Sequence, residues 1–332
     1  MDFQKIRGHK NQLRYLDHLK KSGDIPHALL FSGQKGIGKR LIAETFAASL
    51  FCTEKDSPCG KCHSCLQMKA GAYPDFFVLE VDEKGKIPVG SSDRSQPGTV
   101  RWMIDRLTRS SVNGKYIVIV DGIESISEAG QNALLKTIEE PGPDTHIILI
   151  AESKSGILPT IVSRCIEIGF NPLTISEIND IIAEELPERQ NSQVVSSICG
   201  GSAGTAIRLY DEKVFDGIVE LCREIKTGFG GAEKEVSPPG FSSGFGDGGF
   251  TLSVLINLYS CMLREHIADN GFSLPADILL SAEEAEKAVK ILLAIKKGLK
   301  NNLNVKNILK GMLYSISDMK SRGFPEPDFS WL

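Results

Sequence analysis

The chain has no long apolar run. Its N-terminus, "MDFQKIRGHKNQLRYL", lacks the apolar core of a secretion signal, and no stretch approaches a membrane span. A cytoplasmic location is therefore the expectation. Excess positive charge is also missing: 38 Lys and Arg against 42 Asp and Glu leave a net charge of -4. That balance excludes a basic coat wrapping nucleic acid over the whole surface. It leaves open a local basic patch, or a place in an assembly whose other members hold the nucleic acid. No internal repeat is evident. What is present is ordinary globular composition, 41% hydrophobic and 24% charged over 332 residues, enough for two or three domains and a sizeable core.

Helical and strand signals alternate over residues 1–170. "HALLFSG" (27–33), "DFFVLEV" (75–81), "KYIVIVDG" (115–122) and "THIILIAES" (145–153) are apolar runs too short for helices and read as buried strands. Helical spacing appears at 16–22, 40–51, near 98–110 and at 127–140. This rhythm predicts an α/β fold, a parallel sheet covered by helices on both faces. After "NPLT" (171–174) the strand signals stop. Residues 171–210 predict a small helical unit and 211–332 a second helical domain, including "AEEAEKAVKILLAIKKGL" (282–299). Two stretches lack regular periodicity: 81–98, and the Gly-, Ser- and Pro-dense segment 228–250, which reads as a mobile loop.

"GQKGIGKR" (33–40) lies between a strand and a helix, as a phosphate-binding loop requires. Gly33, Gly36, Gly38 and Lys39 suit that geometry: backbone N–H groups surround phosphate oxygens and the lysine reaches the terminal ones. A glycine-rich turn with no ligand is the alternative. The hydroxyl that would ligate Mg²⁺ is missing, because Arg40 offers only donors and a positive charge. A second absence lies at the end of "YIVIVDG". Asp121 is placed to hold Mg²⁺, or else to cap a turn, but Gly122 has no side chain to activate water. Glu124 lies two residues further on. Metal ligand and base fail together, which argues for lost hydrolysis.

Cys52, Cys59, Cys62 and Cys65 form C-x6-C-x2-C-x2-C, a spacing that suits a closed structural Zn²⁺ shell. A redox C-x-x-C pair is the rival reading. A free-standing zinc module for DNA is disfavoured, because no aromatic and basic residues interleave with the cysteines. The four remaining cysteines are dispersed and read as buried thiols. Arg164, in "SRC", stands at the start of a further strand.

Together "HALLFSGQKGIGK", the cysteine cluster, "YIVIVDGIESIS", "QNALLKTIEEP" and "LPTIVSRC" occur in the order seen in bacterial clamp-loader AAA+ subunits. Over residues 4–170 the chain resembles that family, and its defects resemble those of the delta-prime subunits. The resemblance implies an AAA+ nucleotide-binding domain, a helical lid and a helical collar. It further implies a five-membered ring with motor subunits and a delta subunit, which places a sliding clamp on primed DNA. Arg164 would act in trans as an arginine finger at a neighbouring ATP site. Gly204 stands where active motor subunits place a sensing arginine, with Arg208 one turn later. The resemblance implies no ATPase activity for the chain alone; the alternative is an active motor-type ATPase.

Overall fold

The computed structural model describes residues 6–92, 94–188, 192–230, 248–268, 277–298 and Ser315. The chain divides into two compact units, 1–173 and 174–332. The first contains five parallel strands in the order β2-β3-β4-β1-β5: β1 Ala28–Ser32, β2 Phe76–Glu80, β3 Tyr116–Asp121, β4 Thr145–Ala151 and β5 Ile166–Gly169. The four apolar runs are thus strands, and "IEIG" supplies the fifth.

The apolar runs are continuous because both faces of the sheet are buried. Side chains alternate between two cores with a period of two. Leu29, Phe31, Ile117, Ile119, Ile148 and Ile150 enter one core. There they meet α1 (Lys10–Ser22), α2 (Lys39–Phe51) and α3 (His63–Lys69) through Leu16, Phe46 and Met68. Leu30, Val118, Val120, Ile147 and Leu149 enter the other. That core is closed by α4 (Val100–Leu107), α5 (Glu128–Glu139) and the short α6 (Pro159–Val162), through Met103, Leu134 and Ile161. Caps fix two of these helices: the Thr99 and Ser127 side chains accept first-turn N–H groups of α4 and α5.

The second unit is helical among its described residues: α7 Ile175–Glu185, α8 Ser192–Ile198, α9 Ala203–Leu209, α10 Glu212–Gly230, α11 Gly248–Ala268 and α12 Ala282–Gly298. A reciprocal capping box, Thr174 with Glu177, starts α7. Leu255, Leu258, Tyr259, Ile291, Leu292 and Ile295 are fully or nearly fully buried here. The segment expected to be a loop at 228–250 begins and ends differently. Residues 228–230 close α10 and 248–250 open α11, while 231–247 lie outside the described residues.

A buried carboxylate locks the sheet edge. Asp75, fully buried ahead of β2, accepts the backbone N–H groups of Val112 and Asn113 and the Asn113 amide, at 2.9, 2.7 and 2.8 Å. Its own carbonyl accepts the Ile117 N–H at 3.0 Å. Removing the acceptor strands two backbone donors. Asp75→Ala is expected to cost about 3 kcal/mol, seen as a lower urea midpoint for the unfolding of the first unit.

Candidate functional site

Because the strands run parallel, their C-terminal ends meet at one edge of the sheet, the usual ligand edge of such folds. A cavity of about 470 Å³ opens there, lined among others by Lys39, Arg40, Glu80, Asp121, Glu124 and Glu152. The loop after β1 is clamped from both sides. The Gly33 N–H donates to Ala151 O at 3.1 Å, and the Phe170 N–H donates to Ser32 O at 2.7 Å. A Cβ on Gly33 would lie 2.4 Å from the Phe170 carbonyl oxygen, so only glycine fits. Gly38, at φ 101°, starts α2 without a side-chain cap, which leaves first-turn N–H groups open to an anion.

Lys39 is 6% exposed. Its ammonium donates to the carbonyls of Gly33 and Gln34, the latter at 2.7 Å. Burial pushes its pKa below the usual lysine range, against the opposing pull of Glu152, Asp121 and Glu124. Gly36 and Gly38 line the same cavity, whereas Gly33 takes part through its carbonyl.

Arg40 is more than a missing hydroxyl. Its Nε donates to Glu44 at 2.9 Å, and its Nη1 donates to Glu80 at 2.5 Å and Asp121 at 3.4 Å. Burial works to lower the guanidinium pKa, but Glu44 and Glu80 hold it above its ordinary value. Glu80 and Asp121 are direct partners in the β2–β3 register. Like charges placed opposite each other on adjacent strands repel, and Arg40 bridges them.

Gly122 has φ 97° and ψ 51°, and a Cβ there would meet Val81 Cγ1 at 3.3 Å. A side chain at this position is strained whatever its chemistry. Glu124 does reach the cavity, carried back by the short 3₁₀ turn Ile123–Ser125, but its carboxylate accepts the Glu152 N–H at 2.7 Å. Burial, aided by the Glu152 charge, raises its pKa against that hydrogen bond.

Arg164 follows α6 and does not line this cavity. Its Nε pairs with Glu139 at 2.7 Å, its Nη1 donates to Thr160 O at 2.9 Å, and its side chain is 39% exposed. Cys165 beside it is pushed up to about 11 by burial. The segment before Arg164 is held by a residue that sequence reasoning passed over. The buried Gln131 amide donates to Ile126 O and Gly156 O at 3.0 and 2.8 Å and accepts the Leu158 N–H at 2.8 Å. In the second unit Gly204 and Arg208 lie on α9, with the Arg208 guanidinium 4.0 Å from the Phe250 ring centroid.

Two further features are local. The Sγ atoms of Cys52, Cys59, Cys62 and Cys65 lie within 4.8 Å of one another and could hold a metal ion. Cys52 ends α2 and Cys62 caps α3, with their sulfurs 3.8 Å apart. A tetrahedral shell with metal–sulfur bonds of about 2.3 Å has edges of about 3.8 Å, so the donor set fits. The second feature is a groove of about 930 Å³ lined in part by Arg94, Arg101, Arg109 and Lys136. Arg94 and Arg109 both pair with Asp105, at 3.7 and 2.7 Å, and Glu140 also lines the groove.

Residues 8–174 match the family model described as DNA polymerase III, delta subunit. DNA polymerase III subunit delta' of Pseudomonas aeruginosa is 33% identical over 205 residues, 60% of this chain and 60% of that protein. The subunit of the same name from Haemophilus influenzae is 37% identical over 142 residues, 42% of this chain and 41% of that one. DNA polymerase III subunit tau of Salmonella typhimurium is 28% identical over 224 residues, 65% of this chain and 33% of that one. The matched stretches thus span from one third to three fifths of these relatives.

The raised Glu124 pKa sets a pH dependence. Above its ordinary value of 4.5 the unfolded chain has released a proton that the native state still holds. Native stability therefore falls as pH rises from there through the folded pKa. Glu124→Gln removes this contribution, so its thermal midpoint is expected to gain on wild type between pH 4.5 and neutrality.

Proposed function

The chain belongs to the DNA polymerase III delta-subunit family, and from that premise we propose that it is a non-hydrolysing subunit of a clamp loader. In this reading it helps place a sliding clamp on primed DNA and supplies Arg164 in trans to a neighbouring ATPase. One observation carries the reading. The position that should ligate Mg²⁺ holds Arg40, and that arginine is already bound to Asp121 and Glu80. A cleft whose own cation is a guanidinium has no site for the ion that bridges the phosphates in hydrolysis. Gly122 removes the base as well, and its backbone conformation resists a replacement.

Arg164 supports the trans role by standing outside its own cleft, partly exposed, on a segment fixed by Gln131. A planar guanidinium reaching a transferring phosphoryl group stabilises its charge without serving any reaction on its own chain. The partners in this reading are motor subunits and a delta subunit in a five-membered ring, with the clamp and DNA held through the complex. The basic groove at Arg94, Arg101, Arg109 and Lys136 supports contact with a polyanion. Residues 1–170 serve as the AAA+ domain, 171–210 as the lid and 211–332 as the collar, in the cytoplasm. Nucleotide, if held, contacts Gly36, Gly38 and Lys39.

For the four cysteines the reading is a structural Zn²⁺. The Cys52 thiol feels an upward push from burial. Hydrogen bonds from the Cys59 and Glu54 backbone and from Ser57 outweigh that push and bring it to about 6. Burial and the neighbouring thiols drive Cys65 up to about 12. Four thiolates this close need a cation, and a bound metal deprotonates all four.

The decisive experiment measures ATP turnover by the chain alone and after addition of motor subunits, clamp and primed DNA. The isolated chain is expected to show none. In the assembly Arg164→Ala is expected to slow the adjacent site by about a thousandfold, with Arg164→Lys failing to restore it. Robust Mg²⁺-dependent turnover by the chain alone would instead establish the motor-type ATPase. For the metal, elemental analysis of the purified chain is expected to give one zinc per chain, lost together with the fold of residues 52–69 in Cys62→Ser.

A further inference from the structure

Arg40 touches three carboxylates, from α2, β2 and β3, at the mouth of the phosphate loop. Its Nε and Nη1 serve all three, and the two N–H groups of Nη2 donate to none of the described residues. The guanidinium is thus anchored on one edge and open on the other. Two more donor sets face the same cavity: the buried Lys39 ammonium and the uncapped first turn of α2. The cavity, about 470 Å³, has the size of a small-molecule site. Two of its acids, Glu80 and Asp121, are already bound to Arg40, and Glu124 accepts a backbone N–H through one carboxylate oxygen.

We infer that Arg40 occupies the place of a divalent cation, so that this cleft takes the diphosphate of a nucleotide without Mg²⁺ and excludes the metal. The inference deepens the non-hydrolysing reading above and rests on it. A divalent ion has two tasks in such a site: it neutralises the acidic residues, and it presents positive charge to phosphate oxygens. Arg40 performs the first through Nε and Nη1 and is placed to perform the second through Nη2. Each of the two N–H groups of Nη2 can donate a short, charge-assisted hydrogen bond to a phosphate oxygen. Lys39 can exchange two loop carbonyls for phosphate oxygens, a trade of neutral acceptors for charged ones. What a guanidinium cannot do is organise water and a leaving group around one point charge, so binding is uncoupled from hydrolysis.

The test is calorimetric titration of the full chain with ADP, in excess Mg²⁺ and again in EDTA, with inorganic pyrophosphate as competitor. Wild-type affinity is expected to agree within about twofold in the two conditions. Pyrophosphate is expected to compete, and Lys39→Ala to abolish binding. Arg40→Thr restores a hydroxyl and frees Glu80 and Asp121, so its ADP affinity is expected to fall by about tenfold or more when Mg²⁺ is chelated. Without nucleotide, Mn²⁺ is expected to raise the thermal midpoint of Arg40→Thr and leave wild type unchanged. Should Arg40→Thr not fold, Arg40→Lys keeps a charge without the fork, and weaker but still metal-independent binding is expected of it.

Wild-type binding that requires Mg²⁺ overturns the inference. So does the absence of ADP binding at millimolar concentration, or an Arg40→Thr variant as indifferent to metal as wild type. Absent ADP binding leaves the non-hydrolysing reading standing, Mg²⁺-dependent binding removes its main support without showing hydrolysis, and only turnover by the chain alone overturns it.

Discussion

Parallel pairing of β3 with β2 and β4 decides what the cleft contains. Once Ile117–Val120 are buried on both faces, the register is fixed, because a one-residue slip would exchange the two cores. That register sets Glu80 opposite Asp121 and brings Glu152 in just past the end of β4. Three acidic residues and Glu124 then crowd one edge, and a cation must answer them. In a hydrolase that cation is exchangeable. Here it is covalently part of α2, one residue beyond the lysine of the loop.

The same topology places the loop glycines under different constraints. Gly33 is required by the close passage of Phe170, where β5 ends beside β1, which is a matter of space. Gly38 and Gly122 have no such crowding from the backbone of another strand; left-handed conformations demand them. The loop can therefore persist for architectural reasons after a reaction is lost, since Gly33 bonds to the end of β4 and leaves room for Phe170 whether or not a phosphate is present.

Much of this was legible in the sequence, for local reasons. Strands buried on both faces give unbroken apolar runs, and the phosphate loop and cysteine cluster are compact in sequence. The missing hydroxyl at Arg40 and missing side chain at Gly122 could be read directly. What could not be read was what replaced them. Arg40 finds Glu80 forty residues away and Asp121 eighty-one away, contacts that only the strand order creates. Glu124 stands two residues beyond Gly122 in sequence, and only the 3₁₀ turn shows that it returns to the cleft. Gln131 read as one polar residue in an amphipathic helix, and its role appears only when Gly156 and Leu158 pack beside it. Helix ends were least legible at 228–250, where glycines in the sequence coexist with helical backbone at both flanks.

The two arginines divide along the strength of their tethers. Arg40 is held by three carboxylates on three elements, and withdrawing it would expose the Glu80–Asp121 repulsion. Arg164 is held by a single carboxylate, Glu139, itself 43% exposed, by the Thr160 carbonyl of the short helix before it and by the Ser163 hydroxyl at 3.4 Å. An exposed ion pair of this kind contributes about 0–1 kcal/mol, less than a charge-assisted bond to a phosphate supplies at about 1.5–3 kcal/mol. Redirecting Arg164 toward an anionic site outside its own cleft breaks one such pair, while redirecting Arg40 breaks three. In the proposed reading this difference gives chemically identical groups opposite duties: one arginine closes its own cleft to metal, and the other remains available to a neighbour.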